Sequence, residues 1–398
     1  MILYANRIYT KEGCQAGYIE VEDGKFKNFY PADAAIAGAL RYDEYCIIPG
    51  ILDTHNHGGF GVRVDPGCTK EEMKLYLKGL ASEGVTGVFP TTFELEGIRL
   101  AADMAEEVYE GAKILGIHSE GPWGARVGEK GINLGYPSVD MEYARQMVEN
   151  GKGKLKLVAI APEVDGAEQA IAYFLEHGVR MAIYHTNANY EEANCGIDLG
   201  ITVATHLGNV MTGLHHRDVG TLGACLLRDE VYCEIICDGL HVSLPMVQIM
   251  MKVKPHDQIM MVSDNVQYAG APVGYYRRDI DAESDRSVIE VTAEGFVLSK
   301  SGRLSGSSKS VLYGMKNLVQ KLGMPLDEVV LFSSLNPCTV YGFSENKGSI
   351  EVGKDADFVI INDNFEVQET YLEGRKIFDR FADTELFNQE FINRYKID

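Results

Sequence analysis

The chain has 398 residues, too many for one small domain but suited to a barrel of roughly 250 residues with an accessory module. Its 37 Lys and Arg residues against 58 Asp and Glu give a net charge of -21, so most of the surface repels nucleic acids and anionic membranes. No apolar run approaches the roughly 20 residues that span a bilayer, and the N-terminus lacks the features of a secretion signal. The composition therefore disfavours nucleic-acid and membrane partners and predicts a cytoplasmic protein.

The first part of the chain, residues 1–48, alternates short strands with Gly, Asp and Pro turns, which predicts a small β module. From residue 49 onward, apolar runs alternate with helical stretches such as KEEMKLYLKGLASEG and LAADMAEEVYEGAK, the pattern of parallel βα units. The runs are CIIPGILDTHNH, VTGVFPTT, KILGIHSE, KLVAIAPE, RMAIYHT, ITVATHL, VYCEIICDGLH and QIMMVSDN. Eight runs favour an α/β fold of the (β/α)8 TIM-barrel type over residues 49–344, rather than an open doubly wound sheet.

The region after the eighth run contains an insertion from residue 266 to about 306 and then a helix, SVLYGMKNLVQKLG. The tail, residues 345–398, is rich in strands again. We expect it to pair with residues 1–48 in a small β-sandwich domain beside the barrel. Eight scattered cysteines form no CxxC pair, so we expect them to be reduced and mostly buried.

Polar residues that can bind a metal recur where the apolar runs end, and in a β/α barrel these ends form the catalytic face. They are His55, His57, Glu120, His185, His206, Asp238, His241 and Asp264. A single His at a strand end is usually a hydrogen-bonded core residue, but so many at one rim favour a metal site.

The pair His55 and His57 is spaced i, i+2, so both imidazoles point to the same face of a strand. Imidazole and carboxylate ligands with an open coordination position suit a hydrolytic divalent ion. We predict one or two ions per chain. Zinc is the first candidate, with iron and manganese as alternatives.

Several motifs together resemble one known family. PGILDTHNHG is similar to the first-strand motif of the amidohydrolase superfamily, and NPCTVYGF with KGSIEVGKDADFVIIND is similar to its C-terminal signature. GVTGVFPTT, GIHSEGPW, LVAIAPE, YHTNANYEEA, THLGNVMTGLHHRDVG, CDGLHV, VSDN and GRLSGSS resemble segments of the N-acetylglucosamine-6-phosphate deacetylases. The resemblance covers nearly the whole chain, and it also implies a homodimer.

The resemblance implies that Glu120, His185 and His206 bind the principal metal. Glu120 takes the place of the carboxylated lysine of dihydroorotase-like relatives, and the fourth run ends in Pro162-Glu163 without a lysine. Some members of the family lack the H-x-H pair and use one metal, whereas the presence of His55 and His57 allows a second metal site here. Asp264 is the predicted general base, which takes a proton from water and returns it to the leaving amine.

The substrate contacts implied by the resemblance lie in loops. Asn209 with its neighbour Val210, and the triplet HHR at 215–217, resemble the family's sugar-phosphate contacts, and His241 resembles its sugar-contacting His. An Arg217 fork suits a phosphate dianion, with His216 beside it. His118 is expected to face the barrel interior.

One loop departs from the family, which places a His where this chain has Asn133 within EKGINLGYP. The predicted reaction is hydrolysis of the acetamide of an N-acetylhexosamine 6-phosphate, most simply N-acetylglucosamine 6-phosphate. The alternatives are another deacylase, which the Asn133 departure keeps open, a cyclic amidase, and a non-catalytic barrel that binds a sugar phosphate. The missing lysine disfavours the cyclic amidase, and Asp264 disfavours the non-catalytic barrel.

Overall fold

The computed structural model describes residues 1–127 and 132–397. Both ends of the chain contribute to one seven-stranded sheet. Its strands, in spatial order, are Arg375–Asp379, Val367–Leu372, Phe358–Ile361, Leu40–Pro49, Ile2–Thr10, Gly13–Glu22 and Lys25–Pro31. Alternate residues of these strands, such as Leu3, Ile19, Ile47, Phe358 and Ile360, are buried in a core of their own. The expected pairing of the two chain ends is therefore present.

The central segment forms a curled parallel sheet, in which a six-stranded part and a three-stranded part are joined by isolated bridges, as the alternation of apolar runs and helices predicts. Its strands are Ile51–Asn56, Val85–Pro90, Lys113–Ile114 continued by Ile117–Glu120, Leu155–Ile160, Arg180–Ile183, Ile201–Ala204, Tyr232–Ile235 and Ile259–Met261. Inward residues of these strands, including Leu157, Ala159, Ala182, Val203 and Met260, pack together in one apolar cluster. The concave side of the sheet is therefore filled with side chains.

Backbone hydrogen bonds also join the strands at the edges of this sheet. The amide of Asp264 donates to the carbonyl of His55 at 2.9 Å, and the amide of His57 donates to Asn265 at 2.8 Å. The amide of Thr92 donates to the carbonyl of His118 at 3.0 Å. The segments after Ile51–Asn56 and Ile259–Met261 are thus held side by side at their carboxyl ends.

Helices follow most strands of the parallel sheet, and further helices lie near the end of the chain. They are Lys70–Ala81, Leu95–Met104, Met141–Gly151, Ala167–Glu176, Tyr190–Asp198, Gly220–Leu227, Leu244–Val253, Val311–Leu322, Leu326–Phe332, Leu335–Val340 and Gln389–Tyr395, with 3-10 turns at Ala32–Ala34 and His256–Gln258. Thr69 with Glu72, and Asn189 with Glu192, form capping boxes that fix where two of them begin. None of the helices in the described ranges is long and apolar enough to cross a membrane.

Two details differ from the sequence expectation. The stretch LAADMAEEVYEGAK is helical only to Met104, and turns follow it. Gly111 in this region has φ +137°, and a Cβ there would lie 2.5 Å from the backbone of Leu77, so the chain must leave the helical path to pass this neighbour.

The end of the chain also departs from the terminal sheet. Residues Lys396–Ile397 pair with Gly274–Arg277 in a four-stranded sheet of the insertion, which is completed by Val288–Val291 and Val297–Ser299. The helix Gln389–Tyr395 packs there through Phe391, whose ring contacts Tyr268 and Tyr276. The last residues therefore extend the insertion rather than the terminal sheet, because Phe391, Ile392 and Tyr395 are partly buried against its apolar cluster.

The cysteines are free, as expected. Five of them are buried: Cys46, Cys225, Cys233, Cys237 and Cys338. Two short hairpins complete the fold near the strand ends, Gly58–Gly59 with Val62–Arg63 and Arg126–Val127 with Ile132–Asn133. Residues 128–131 of the loop that contains EKG lie outside the described residues.

Candidate metal centre

Glu120 lies at the centre of a group of imidazoles. Its Oε1 is 2.7 Å from Nε2 of His206 and 3.3 Å from Nε2 of His185. Its Oε2 is 3.0 Å from Nε2 of His57 and 3.9 Å from Nε2 of His55. The two carboxylate oxygens of Glu120 therefore face two different pairs of histidines.

The His55 side of the centre also contains Asp264. Nε2 of His55 and Nε2 of His57 are 3.2 Å apart, and Oδ1 of Asp264 is 3.4 Å from each. His55 is fully buried, whereas the side chain of His57 is 20% exposed. The i, i+2 spacing of the pair thus brings both imidazoles to one carboxylate, as the sequence predicts.

Three of the predicted site residues have left-handed backbone conformations. His185, His206 and Asp264 each lie two or three residues after the end of a parallel strand and have φ values of 39°, 33° and 52°. Non-glycine residues adopt this region at a cost of about 1 to 3 kcal/mol, and such residues cluster at functional sites. The sharp turn after each strand is therefore a further sign that these side chains are held for chemistry.

The pKa values of the acidic and imidazole groups in the centre are shifted by burial and by their neighbours. Burial opposes ionisation of Glu120, but hydrogen bonds with His185, His206 and His57 outweigh it and hold the pKa of Glu120 well below its usual range. Burial opposes the protonation of His206, yet the contact with Glu120 raises the pKa of His206 to about 9 when no ion is bound. Burial raises the pKa of Asp264 although His57 opposes the shift, so Asp264 is a stronger base than an exposed Asp.

The donor set fits a divalent ion. Ligand atoms of Glu120, His185 and His206 lie within 4.8 Å of one another, and so do those of His55, His57 and Glu120. Nδ1 of His206 is buried and has no hydrogen-bond partner among the described residues. The imidazole of His206 therefore has one nitrogen whose hydrogen-bonding capacity the protein does not use. Imidazole nitrogens with a carboxylate are the ligands of hydrolytic zinc and related ions.

A buried network fixes the strands that carry the centre. Asp53 is fully buried and accepts hydrogen bonds from the Ser263 hydroxyl at 2.5 Å and from the Asn56 side chain at 3.0 Å. Tyr76 donates to Asn56 at 2.8 Å. Because Ser263 precedes Asp264 and Asn56 lies between His55 and His57, this network holds both parts of the centre in register.

His241 lies beside the centre, at the end of the strand Tyr232–Ile235. Its Nδ1 is 2.7 Å from Oδ2 of Asp238, and its side chain is 8% exposed. Burial disfavours the charged ring, but the hydrogen bond to Asp238 outweighs this and raises the pKa of His241. The contact fixes the ring and leaves Nε2 available to a ligand.

The other predicted substrate residues lie further out. The amide of Asn209 donates to the carbonyl of His206, and Val210 has a φ of 50° in the same turn. The exposed triplet HHR lines a separate pocket of about 400 Å³ with residues 189–191, and Nε of Arg217 is 3.2 Å from Nε2 of His216. Asn133 is exposed in a short hairpin, where its side chain accepts from the amide of Gly135.

The interior position expected for His118 agrees with the structure, where the ring is fully buried with Nδ1 3.1 Å from the carbonyl of Thr54. Sequence reasoning missed its neighbour Glu234, which is fully buried in the strand Tyr232–Ile235 and accepts from the Thr54 hydroxyl at 2.7 Å. Burial raises the pKa of Glu234 to about 8 despite that hydrogen bond. The signal was a charged residue in the otherwise apolar run VYCEIIC.

Comparisons with known proteins confirm the resemblance seen in the motifs. A curated relative from Vibrio furnissii, an N-acetylglucosamine-6-phosphate deacetylase, is 30% identical over 351 residues, which cover 86% of each chain. An N-acetylgalactosamine-6-phosphate deacetylase of Escherichia coli O157:H7 is 30% identical over 388 residues, 94% of this chain and 98% of that protein. The crystal structure of an N-acetylglucosamine-6-phosphate deacetylase from Pasteurella multocida has 25% identity and a TM-score of 0.83, and the match covers 94% of this chain and 99% of that one.

The family comparison gives the same answer over most of the chain. The model of the amidohydrolase family matches residues 46–377, which contain the whole parallel sheet and every residue of the metal centre. The chain therefore belongs to the amidohydrolase family.

Proposed function

We propose that this chain hydrolyses the acetamide bond of an N-acetylhexosamine 6-phosphate, so that water adds to the acetyl carbon and the products are acetate and the amino sugar phosphate. The observation that carries this proposal is the convergence of Glu120 and its histidines with Asp264 at the strand ends. The two deacetylases from Vibrio furnissii and Escherichia coli, whose alignments cover 86% and 94% of this chain, support the same reaction class.

Glu120, His185 and His206 would hold the principal ion, and His55 and His57 a second one. When bound, a divalent ion supplies a polarised water and a Lewis acid for the carbonyl oxygen. Zinc is the first ion to test, since imidazole and carboxylate ligands suit it.

Asp264 then acts as the general base and acid. Its buried carboxylate takes a proton from the attacking water and returns that proton to the amine nitrogen when the carbon–nitrogen bond breaks. Burial raises the pKa of Asp264, which makes its carboxylate a better proton acceptor than that of an exposed Asp. Asp238 orients the ring of His241 through Nδ1, and Nε2 of that ring would contact the sugar or the carbonyl oxygen.

The substrate epimer is tested by acetate release from a panel of N-acetylhexosamine phosphates. N-Acetylglucosamine 6-phosphate is the first candidate, and the galactosamine epimer is the second because the Escherichia coli relative acts on it by name. We expect turnover of at least one of the two at a rate well above that of the unphosphorylated sugars. Equal turnover of phosphorylated and unphosphorylated sugars would contradict a 6-phosphate substrate.

Arg217 is the proposed phosphate contact, and Asn209, Val210, His216 and Asn133 are further proposed substrate contacts. Replacing Arg217 by Ala should weaken binding of the phosphorylated substrate by about 1.5 to 3 kcal/mol, the usual contribution of a charged hydrogen bond. Binding of the unphosphorylated sugar should change little. The measurement is KM for both sugars.

Arg145 provides the matched control for this test, since it is an exposed arginine on the helix Met141–Gly151. Arg145→Ala should leave both KM values unchanged. A loss of affinity in Arg217→Ala that is the same for both sugars would show that Arg217 does not contact the phosphate.

We also infer that the parallel strands close into an eight-stranded barrel. The hydrogen bonds between Asp264 and His55 and between Thr92 and His118, which join the sheet edges, support this closure. The division into a barrel over residues 49–344 and a terminal sandwich domain of residues 1–48 and 345–398, the homodimer and the cytoplasmic location stay predictions.

A further inference from the structure

Beneath His55, three buried polar atoms lie without a hydrogen-bond partner among the described residues. They are Nδ1 of His55, Nε2 of His118 and Oε2 of Glu234. All three side chains are fully buried, and each offers a ligand atom within 4.8 Å of the others. Unpaired buried polar atoms are costly, so three of them in one place call for a common explanation.

The protons of this cluster can be assigned from its neighbours. Nδ1 of His118 is 3.1 Å from the carbonyl oxygen of Thr54, which only accepts, so Nδ1 carries the proton and Nε2 of the neutral ring is an acceptor. Oε1 of Glu234 accepts from the Thr54 hydroxyl, which leaves Oε2 as a second acceptor when the carboxylate is ionised. The remaining atom, Nδ1 of His55, must therefore supply the donor.

The other nitrogen of His55 gives the same answer. Nε2 of His55 faces His57, Glu120 and Asp264 in the candidate metal centre, where a ligand must offer a lone pair. A neutral imidazole with a free Nε2 carries its proton on Nδ1. The same ring cannot offer a lone pair on both sides, so a second ion bound between His55, His118 and Glu234 is excluded while His55 serves the centre above.

The geometry points to Glu234 as the positioning residue of His55, accepting the Nδ1 proton so that Nε2 is directed to the second metal position. Oε2 of Glu234 is 3.7 Å from Nδ1 of His55, just beyond hydrogen-bond distance, and a small rotation of the ring would bring the two atoms into contact. Metal-binding histidines commonly donate their second N–H to a carboxylate in this way. The inference rests on the metal centre of the proposed function.

The cluster therefore has two consequences for this chain. Glu234 should strengthen the site of His55 and His57, and it should have little effect on the site of Glu120, His185 and His206, which does not include His55.

Zinc binding by Glu234→Gln tests the inference, because Gln keeps the volume and removes the charge. We expect the weaker of two zinc affinities, measured by competition with a chromophoric chelator, to fall about 10- to 100-fold, the usual effect of losing such a partner. The tighter zinc ion should stay bound. Thr54→Val, which removes only the hydroxyl that orients Glu234, should give a smaller fall in the same affinity.

Asp357→Asn is the matched control, since it removes a buried carboxylate that pairs with Lys347 at the terminal sheet, outside the metal centre. It should lower thermal stability and keep both zinc affinities. Wild-type affinities in Glu234→Gln, or an equal loss of both ions, would overturn the inference.

A second readout follows the proton itself. The measurement is a nitrogen-15 spectrum of zinc-treated protein with labelled histidines, in which the His55 signals are assigned from their absence in His55→Asn. We expect His55 to be protonated on Nδ1. In Glu234→Leu we expect the His55 signals to change. Protonation on Nε2 would overturn the role of Glu234 even if two zinc ions bind. One bound zinc with His55 protonated on Nδ1 would instead remove the second ion from the proposed function and uphold the role of Glu234.

Discussion

Replacing Asp264 by Asn should lower kcat at least about 10²- to 10⁴-fold, the contribution of a positioned general base. Asn keeps the side-chain volume and an oxygen beside His55 and His57, but it cannot take a proton from water. KM should stay near its wild-type value, because the substrate contacts are untouched. The measurement is steady-state acetate release, with zinc content determined on the same sample.

Asp357→Asn serves here too as a control for the loss of a buried carboxylate and should keep kcat. Asp264 touches the site of His55 and His57, so the occupancy of that site is expected to fall while the ion at Glu120, His185 and His206 stays bound. If Asp264→Asn kept more than about a tenth of the wild-type kcat, another group would have to be the base.

Replacing His206 by Ala should empty the principal metal site and abolish turnover. The ring is 1% exposed and is the closest imidazole to Glu120, so Ala leaves only Glu120 and His185 of that ligand set. Elemental analysis of the purified variant should find the principal ion absent. His185→Ala should give the same result from the more exposed side of the site.

His177 offers a control for this experiment, because it is an exposed histidine outside the centre that bonds to the carbonyl of Tyr173. His177→Ala should keep the full metal content and kcat. Normal metal content in both His185→Ala and His206→Ala would refute the assignment of the principal site.

Much of the fold and of the site follows from local patterns. Apolar runs that alternate with helices predict parallel βα units, and the carboxyl ends of parallel strands meet at one edge. These patterns predict that His55, Glu120 and Asp264 meet although they are far apart in the chain. In the structure, Nε2 of His55 is 3.9 Å from Oε2 of Glu120 and 3.4 Å from Oδ1 of Asp264.

Other features depend on tertiary contacts that no local pattern encodes. The left-handed backbone at His185 and His206 could not be predicted from the sequence, because neither position is a glycine. The role of Glu234 appears only when the strand Tyr232–Ile235 is placed beneath His55. Lys396–Ile397 pairs with the insertion strand Gly274–Arg277, which is far away in the sequence. Hydrophobic periodicity predicts single strands and helices but not which distant strands pair.

Acetate release from N-acetylglucosamine 6-phosphate tests the central claim most directly. We expect zinc-loaded wild-type protein to release acetate and free amine in equal amounts, over many turnovers. Removal of the metal with a chelator should stop the reaction, and added zinc should restore it. Protein that carries its metal but releases no acetate from this sugar phosphate or from its galactosamine epimer would contradict the proposed function.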